Sequence, residues 1–323
     1  MKRVLITEPI DEAGTALLDA RDDVEWRVAD AFDEATLTRQ AVNADAIIVR
    51  VAQLPASVLR AAANLAVVSK HGVGCDNVDV DHLTSRGLPM AIAAGANAQS
   101  VAEHTMAMML AAARRLREQD AAQRAGDFAA RHRLIATDLS GAKGLVIGYG
   151  RIGRLVAPLM AAFGMAVTVA DVRDYRDEAQ ASGFAFVTDF REALTDADFV
   201  TLHVPLDRST ALMLDRAAFA RFKPGAIFIN CARGGIMDEA ALEWALARGP
   251  LAAAGLDVFT QEPTPTGHPL LARDDIVVSP HTGAAAFGSV RAMSTMAAQN
   301  VLDVFDARLR EDCTFNLAAL RAR

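Results

Sequence analysis

Short apolar runs and amphipathic stretches alternate along the first 97 residues of the chain. The apolar runs fall at residues 4–6, 24–28, 46–49, 65–68 and 89–92, and helical periodicity lies between them near 11–20, 33–42 and 55–63. Strands that alternate with helices predict a parallel sheet that is covered by helices on both faces.

The same alternation resumes after a polar, poorly periodic stretch at residues 126–141. Strands are predicted at 145–147, 166–170, 199–202, 226–230, 252–256 and 276–278, and helices at 215–222 and 239–248, with Asp238 as the cap of the latter. A long Ala- and Met-rich helix begins near Asn97, and a final helix over about 284–309 returns the chain to the first domain. We therefore predict an α/β protein with two domains, residues 1–97 plus 290–323 and residues 98–289.

The start of the long helix carries an acid beside an imidazole, Glu103-His104. Ser100 precedes Glu103 by three positions, which is the spacing of a capping box. We interpret Glu103 as part of this cap, so the pair needs no catalytic explanation.

The strand at 145–147 leads into the pattern Gly148-x-Gly150-x-x-Gly153 and then into an apolar-periodic helix. In this context the pattern is a dinucleotide-binding fingerprint, in which the glycines allow a tight turn, a close approach to a pyrophosphate and close helix packing. The free N–H groups of the helix N-terminus would bind the phosphates. The predicted contact residues are Gly148, Tyr149, Gly150, Arg151, Ile152 and Gly153.

The next strand ends at Asp171, where a carboxylate accepts hydrogen bonds from an adenosine ribose. A carboxylate there repels a 2′-phosphate, so the sequence favours NAD (NADH) over NADP. Arg173, two residues later, leaves NADP as a second option.

Charge and cysteine content narrow the class of protein. The chain has 323 residues, a formal net charge of −7 and no basic block, which argues against nucleic acid or an anionic membrane as partner. It begins directly on a strand with no signal peptide, and its apolar stretches are too short to span a bilayer. Three widely spaced cysteines indicate neither a disulfide framework nor a metal site, so we expect a cytoplasmic protein without metal.

Five polar residues of the second domain each follow a predicted strand: His203, Arg233, Asp257, Glu262 and His281. Ligands of open parallel sheets bind at this carboxyl edge, so we expect the five side chains to form a cluster beside the cofactor. Such a cluster is what hydride transfer to a 2-oxo acid requires.

Three of these residues match the chemical needs of that reaction. A guanidinium, Arg233, would bind the substrate carboxylate and carbonyl in a bidentate way. An imidazole, His281, would give or take the proton near neutral pH. A carboxylate, Glu262, would orient that imidazole.

A glycine-rich loop, Lys70-His71-Gly72-Val73-Gly74, follows the fourth predicted strand. Its glycines free the backbone N–H groups to face an anion, but taken alone the pattern is more typical of a plain tight loop.

At these positions the chain resembles the D-isomer-specific 2-hydroxyacid dehydrogenase family. The matching stretches lie at 72–79, 148–153, 203–206, 223–234, 257–263, 268–270 and 280–284. The resemblance implies two Rossmann-like domains with the active site in the cleft between them, and a homodimer. The first domain would be flavodoxin-like and bind substrate, and the second would bind NAD.

The resemblance also implies roles for individual residues. Arg233, Glu262 and His281 would be catalytic, and the loops of the first domain would bind substrate. Besides residues 148–153, the implied cofactor-binding residues are Asp171, His203, Val204, Pro205, Cys231, Ala232, Arg233, Asp257, His281 and Gly283. The implied substrate-binding residues are Arg50, Val51, His71, Gly72, Val73, Gly74, Arg233 and His281.

Substrate choice stays open at this stage. After Gly283 many relatives have Ala-Ser-Thr and an acid, where this chain has Ala284-Ala285-Ala286-Phe287-Gly288. Cations for a substrate phosphate are few, namely Arg50, Lys70, His71, Arg131 and Arg133. We expect hydroxypyruvate or glyoxylate as substrate, with D-3-phosphoglycerate as the alternative. An NAD(H)-sensing interaction protein on the same fold is the alternative of another class.

Overall fold

The computed structural model describes residues 1–322 and contains two sheets, in which all twelve strands named below pair in parallel. The predicted α/β class with two parallel sheets is confirmed. Both sheets are flanked by helices, which is the arrangement that parallel pairing requires.

The first sheet belongs to residues 1–97 and has the strand order β2-β1-β3-β4-β5, which is the flavodoxin-like order. Its strands are β1 (Lys2–Ile6), β2 (Val24–Val28), β3 (Ala46–Val49), β4 (Val67–Lys70) and β5 (Met90–Ile92). Its helices are α1 (Glu12–Asp19), α2 (Glu34–Ala41), α3 (Ala56–Ala61) and α4 (Val80–Ser85).

The second sheet has the order β12-β11-β10-β9-β6-β7-β8, so the direction of winding reverses between β6 and β9. Its strands are β6 (Lys143–Ile147), β7 (Ala166–Ala170), β8 (Ala185–Val187), β9 (Phe199–Leu202), β10 (Ala226–Asn230), β11 (Leu251–Leu256) and β12 (Ile276–Val278). The helices are α5 (Ala98–Ala113), α6 (Leu116–Arg124), α7 (Gly153–Ala162), α8 (Arg176–Ala181), α9 (Arg216–Phe219) and α10 (Glu239–Ala247). This doubly wound order places a ligand site at the carboxyl ends of β6 and β9.

The chain then returns to the first unit through α11 (Phe287–Phe305) and ends on the short helix α12 (Leu317–Arg321). By their internal contacts, residues 1–97 and 285–323 form one compact unit and residues 98–284 the other. The sequence predicted that the chain returns to the first unit at residue 290, five residues after the observed boundary.

The long helix that begins at residue 98 differs from its sequence-based prediction. Ser100 lies inside α5 rather than at its cap, so the predicted capping box is wrong. Glu103 instead accepts a hydrogen bond from Gln99 Nε2 at 2.8 Å, one helical turn away. Arg115, with φ of 52°, ends the helical path of α5, and α6 starts at the next residue.

Each sheet has an apolar cluster on both faces. In the first unit one cluster centres on Leu37, Ile47 and Leu83, and the other on Ile6, Ile48 and Val301. Because both faces are covered, the central strands read as continuous apolar runs, and this made them visible in the sequence. Within residues 1–322, no helix is both long and apolar enough to cross a bilayer.

Candidate active site

The glycine turn after β6 has the geometry of an anion cradle. Gly148 has a φ of +97°, and a side chain at Gly153 would place its Cβ 2.0 Å from the Gly148 carbonyl oxygen. Within the described residues, the backbone N–H groups of Gly150, Arg151 and Ile152 donate to no protein acceptor. Three unpaired donors at the start of the ten-residue helix α7 suit a pyrophosphate.

Asp171 lies at the end of β7 and is tied to this turn. Its Oδ2 accepts from the Tyr149 N–H at 2.8 Å, and its Oδ1 accepts from the Arg173 N–H at 2.9 Å. Each carboxylate oxygen keeps a further lone pair, so the group can still accept from a ribose hydroxyl. These residues fit NAD by the geometry of the cradle and by the chemistry of the acid.

The glycine turn yields a prediction that separates folding from cofactor binding. A Cβ at Gly150 would meet no protein atom within 4 Å, whereas one at Gly153 would strike the backbone. We expect Gly150→Ala to keep the wild-type melting temperature but to bind NADH about tenfold or more weakly, because the methyl group occupies the approach of the pyrophosphate. Gly153→Ala should lose stability. Thermal melts and fluorescence titration with NADH measure both, and wild-type NADH affinity in Gly150→Ala would contradict the placement.

His281 and Glu262 form a direct pair in the structure. His281 Nδ1 lies 2.7 Å from Glu262 Oε2, and the other carboxylate oxygen accepts from the Phe259 N–H at 3.0 Å. Burial opposes ionisation of Glu262, but the hydrogen bonds from His281 and Phe259 and the Arg233 charge outweigh it, so the pKa of the carboxyl lies below its usual range. An ionised Glu262 holds a proton on Nδ1 and leaves Nε2 available to a substrate.

Arg233 sits on a turn that one buried side chain holds. Asn230, at the end of β10, accepts from the Ala232 N–H at 2.9 Å and donates Nδ2–H to the Arg233 carbonyl at 2.9 Å. The guanidinium donates to the Ala232 carbonyl at 2.7 Å. Sequence reasoning missed Asn230, although an amide directly after an apolar strand is a usable signal for a turn clamp.

The remaining predicted contacts of the second unit surround the same edge. His203, which precedes Val204 and Pro205, has its Nε2 3.1 Å from Thr201 Oγ1, and burial lowers its pKa to about 3. Burial, with the charge of Asp257, raises the pKa of the Cys231 thiol to about 12, so it stays protonated and is no nucleophile.

The predicted substrate loops of the first unit are organised by residues that the sequence did not point to. Glu8, buried two residues after β1, accepts from the N–H groups of Val51 at 2.8 Å and Ala52 at 2.7 Å. Lys70 Nζ donates to the Arg50 carbonyl at 2.5 Å and to Asn77 Oδ1 at 2.6 Å. These contacts join loop 50–52 to loop 70–77.

The glycine loop itself offers donors. Gly72 has a φ of +142°, and in the described part of the chain the N–H groups of Val73 and Gly74 reach no protein acceptor. This favours the anion-binding interpretation over the plain tight loop. His71 differs, because its ring is buried with Nε2 2.9 Å from Ser294 Oγ on α11.

Burial, helped by the positive charge of Arg50, lowers the pKa of His71 to about 4. The imidazole is therefore neutral near pH 7 and adds no positive charge to the loop. This leaves fewer cations for a substrate phosphate than the sequence count suggested.

The His71 shift predicts a pH dependence of stability. An unfolded histidine takes up its proton near pH 6.5, but the folded ring does so only near pH 4, so this group's contribution is lost as the pH falls between those values. Between pH 7 and pH 5 we expect a loss of about 2 kcal/mol from this group, absent in His71→Asn. Urea unfolding at the two pH values measures it, with exposed His132→Asn as control. Parallel pH curves for the wild type and His71→Asn would contradict the assignment.

These features define a dinucleotide-binding α/β protein: a doubly wound sheet, a glycine turn where the direction of winding reverses, and an acid after the next strand. Residues 106–283 match the family described as D-isomer specific 2-hydroxyacid dehydrogenase, NAD binding domain. The chain belongs to this family.

Individual relatives agree with this assignment. The chain is 37% identical over 313 residues to a D-3-phosphoglycerate dehydrogenase of Methanocaldococcus jannaschii, covering 97% of this chain and 59% of that relative. It is 33% identical to a glyoxylate reductase of Korarchaeum cryptofilum, covering 93% of this chain and 92% of that one. A solved structure from Thermus thermophilus has 34% identity and a TM-score of 0.87, covering 96% of this chain and 98% of that one.

The two enzymes differ in how much of their length this chain covers. The chain spans less than two thirds of the phosphoglycerate dehydrogenase but nearly all of the glyoxylate reductase.

Proposed function

We propose that this protein is an NAD-dependent dehydrogenase that interconverts a 2-oxo acid and a D-2-hydroxy acid. The observation that most supports this proposal is the 2.7 Å contact between His281 Nδ1 and Glu262 Oε2. The pair lies beside Arg233, on the domain that holds the glycine cradle. Residues 98–284 bind the cofactor, and residues 1–97 with 285–323 contribute the substrate loops.

Each side chain has a defined task in this proposal. Arg233 binds the substrate carboxylate and polarises its carbonyl, His281 donates a proton from Nε2 to the carbonyl oxygen, and Glu262 stabilises the imidazolium. In the reverse direction His281 Nε2 accepts the hydroxyl proton. NADH, when bound, would supply the hydride for reduction of the carbonyl, and NAD⁺ would accept it in the reverse direction.

The first-unit loops favour a small, unphosphorylated substrate such as hydroxypyruvate or glyoxylate. The N–H groups of Val73 and Gly74 suit a carboxylate, but the positive charges nearby are engaged. Arg50 Nη1 donates to the Pro9 carbonyl at 2.6 Å, Lys70 is held between two loops, and His71 is neutral. A phosphate dianion would need several of these groups to be released.

D-3-phosphoglycerate dehydrogenase activity is the second candidate. The 37% identity to the Methanocaldococcus jannaschii enzyme and the position of Arg50 on a substrate loop favour it.

A panel of 2-oxo acids tests the proposal by the rate of NADH oxidation. Glyoxylate, hydroxypyruvate, pyruvate, phosphohydroxypyruvate and larger branched or aromatic acids are compared at equal concentrations. We expect hydroxypyruvate or glyoxylate to lead phosphohydroxypyruvate by about tenfold or more in kcat/KM, since an unpaired buried phosphate charge is costly. The opposite order would favour the second candidate. If no acid of the panel supported NADH oxidation while NADH still bound tightly, an NAD(H)-sensing protein would be favoured.

A homodimer is the assembly that we propose. Three large apolar side chains of one segment are exposed, namely Leu116 at 56%, Phe128 at 66% and Ile135 at 69%. A partner subunit that packed on this segment would cover these side chains. Sedimentation equilibrium should give twice the chain mass, and a single monomer mass would contradict the dimer.

A reducing compartment, the cytoplasm, is the proposed location. All three cysteines, Cys75, Cys231 and Cys313, are buried and form no disulfide. Buried thiols that form no disulfide are typical of proteins in reducing surroundings.

A further inference from the structure

A second imidazole lies behind the turn that carries His281. His104, on α5, places its Nε2 2.9 Å from Ser279 Oγ and 3.3 Å from Asp257 Oδ1. Its sequence neighbour Glu103 is exposed and bonded to Gln99, so the two adjacent residues do not act as a pair. The acid that His104 contacts is thus Asp257, 153 positions away in sequence.

The hydrogen bond between His104 and Ser279 has a defined donor and acceptor. Ser279 Oγ–H donates to Asp257 Oδ1 at 2.6 Å, so the Ser279 oxygen is left to accept the proton of His104 Nε2. Asp257 is almost fully buried, with 1% exposure. Burial opposes its ionisation, but hydrogen bonds from His104, Ser279, Thr282 and Gly283 outweigh it and keep the pKa of Asp257 below its usual range.

Asp257 in turn fixes three consecutive backbone N–H groups. Its carbonyl oxygen accepts from the His281 N–H at 2.8 Å. Its Oδ1 accepts from the Thr282 N–H at 2.8 Å, and its Oδ2 accepts from the Gly283 N–H at 2.9 Å. The position of the His281 ring therefore depends on a correctly placed Asp257 carboxylate.

The backbone at His281 needs this support. His281 has a φ of +53°, in the left-handed region that residues other than glycine rarely adopt. Such a conformation persists only where the surroundings determine it strongly, and it is typical of functional sites. At Gly283 an added Cβ would lie 3.0 Å from Asp257 Oδ2 and 3.6 Å from His104 Cδ2, so the turn is packed closely against both residues.

We propose that His104 is a positioning residue for the reaction. Through Ser279 it holds the Asp257 carboxylate, which holds the turn and so keeps His281 Nε2 aimed at the substrate carbonyl. This inference rests on the proposed function and adds a residue that does not itself touch the substrate.

Two substitutions at His104 test the proposal. His104→Leu removes the donor, whereas His104→Gln places an amide N–H close to the former Nε2. Exposed Glu103→Gln is the matched control on the same helix. We expect kcat of His104→Leu to fall about tenfold or more, because small misplacements of a reacting group are costly. KM and the stoichiometry of NADH binding should stay near wild type, and His104→Gln should regain most of kcat.

The isotope effect from deuterated NADH separates positioning from loss of folded protein. A misplaced His281 makes the chemical step slower, so the effect on kcat should rise in His104→Leu. Partial unfolding would lower kcat and NADH stoichiometry together and leave the isotope effect unchanged. The proposal would be overturned if kcat and NADH stoichiometry fell together with an unchanged isotope effect. It would also be overturned if the Leu and Gln variants lost equal activity, or if His104→Leu kept wild-type kcat.

A wild-type protein that reduces no 2-oxo acid would refute the proposed function, but the placement of the His281 ring by His104 could still be tested. The NMR resonance of the His281 ring, assigned with His281→Asn, then provides the test without turnover. It should shift in His104→Leu and return in His104→Gln, and an unmoved resonance would overturn the positioning role.

Discussion

Replacing His281 with asparagine should lower turnover by about 10²–10⁴-fold while NADH affinity stays within about threefold of wild type, since general acid–base groups contribute on this scale. Asparagine keeps a polar side chain but cannot carry a proton between pH 6 and 8. The glycine cradle, which would bind the phosphates, lies on β6 and α7 and is not touched by the change. Steady-state kinetics and a fluorescence titration with NADH measure the two quantities.

His132→Asn is the matched control for this substitution. His132 is exposed, and its Nε2 accepts from Arg131 at 3.1 Å. The control should keep wild-type kcat and NADH affinity. Unchanged turnover in His281→Asn, or equal losses in both variants, would refute the role of His281 as acid and base.

Adding one methyl group at Gly234 is expected to disable the protein. A Cβ there would lie 2.0 Å from the Phe259 carbonyl carbon and 2.3 Å from the Thr260 nitrogen, both backbone atoms. The loop with Arg233 and the loop with Glu262 would have to separate. We expect Gly234→Ala to cost about 3 kcal/mol or more of stability, and folded protein to lose about 10²-fold in kcat.

The neighbouring glycine provides the control. A Cβ at Gly235 first meets Leu206 Cδ2 at 3.1 Å, which is the end of a flexible side chain. Gly235→Ala should therefore stay close to wild type in melting temperature and kcat. If the two variants behaved alike, the close packing of the Arg233 and Glu262 loops would not be what holds the site.

The sequence predicted those features that depend on local signals. Strands such as Ala226–Asn230 and Phe199–Leu202 are buried on both faces, so their apolar runs gave their bounds directly. The glycine turn before α7 and the cap at Asp238 are also local, and the Asp238 side chain does accept from the Ala240 N–H at 2.9 Å. Strand β4 was placed two residues early, because Leu65 is buried although it precedes the strand.

Features that depend on distant contacts could not be found in this way. Glu8 holds the N–H of Ala52, 44 positions away, and His104 meets Ser279, 175 positions away. Glu103, beside His104, suggested a capping box, so the contact between His104 and Ser279 was not predicted. The roles of His281, Glu262 and Arg233 were assigned from chemistry and resemblance and remain predictions, while the 2.7 Å His281–Glu262 contact came only from the structure.

Transfer of deuterium from NADH to the product tests whether this protein reduces a 2-oxo acid to a D-2-hydroxy acid. Hydroxypyruvate, or the best acid of the panel that gives a chiral product, is reduced with NADH labelled at the transferable position of the nicotinamide, and the product is resolved by chiral chromatography and mass spectrometry. We expect one deuterium at C2 of the D-hydroxy acid for each NADH oxidised, and loss of this product in His281→Asn. An L product, or an unlabelled product with NADH bound, would contradict the proposed reaction.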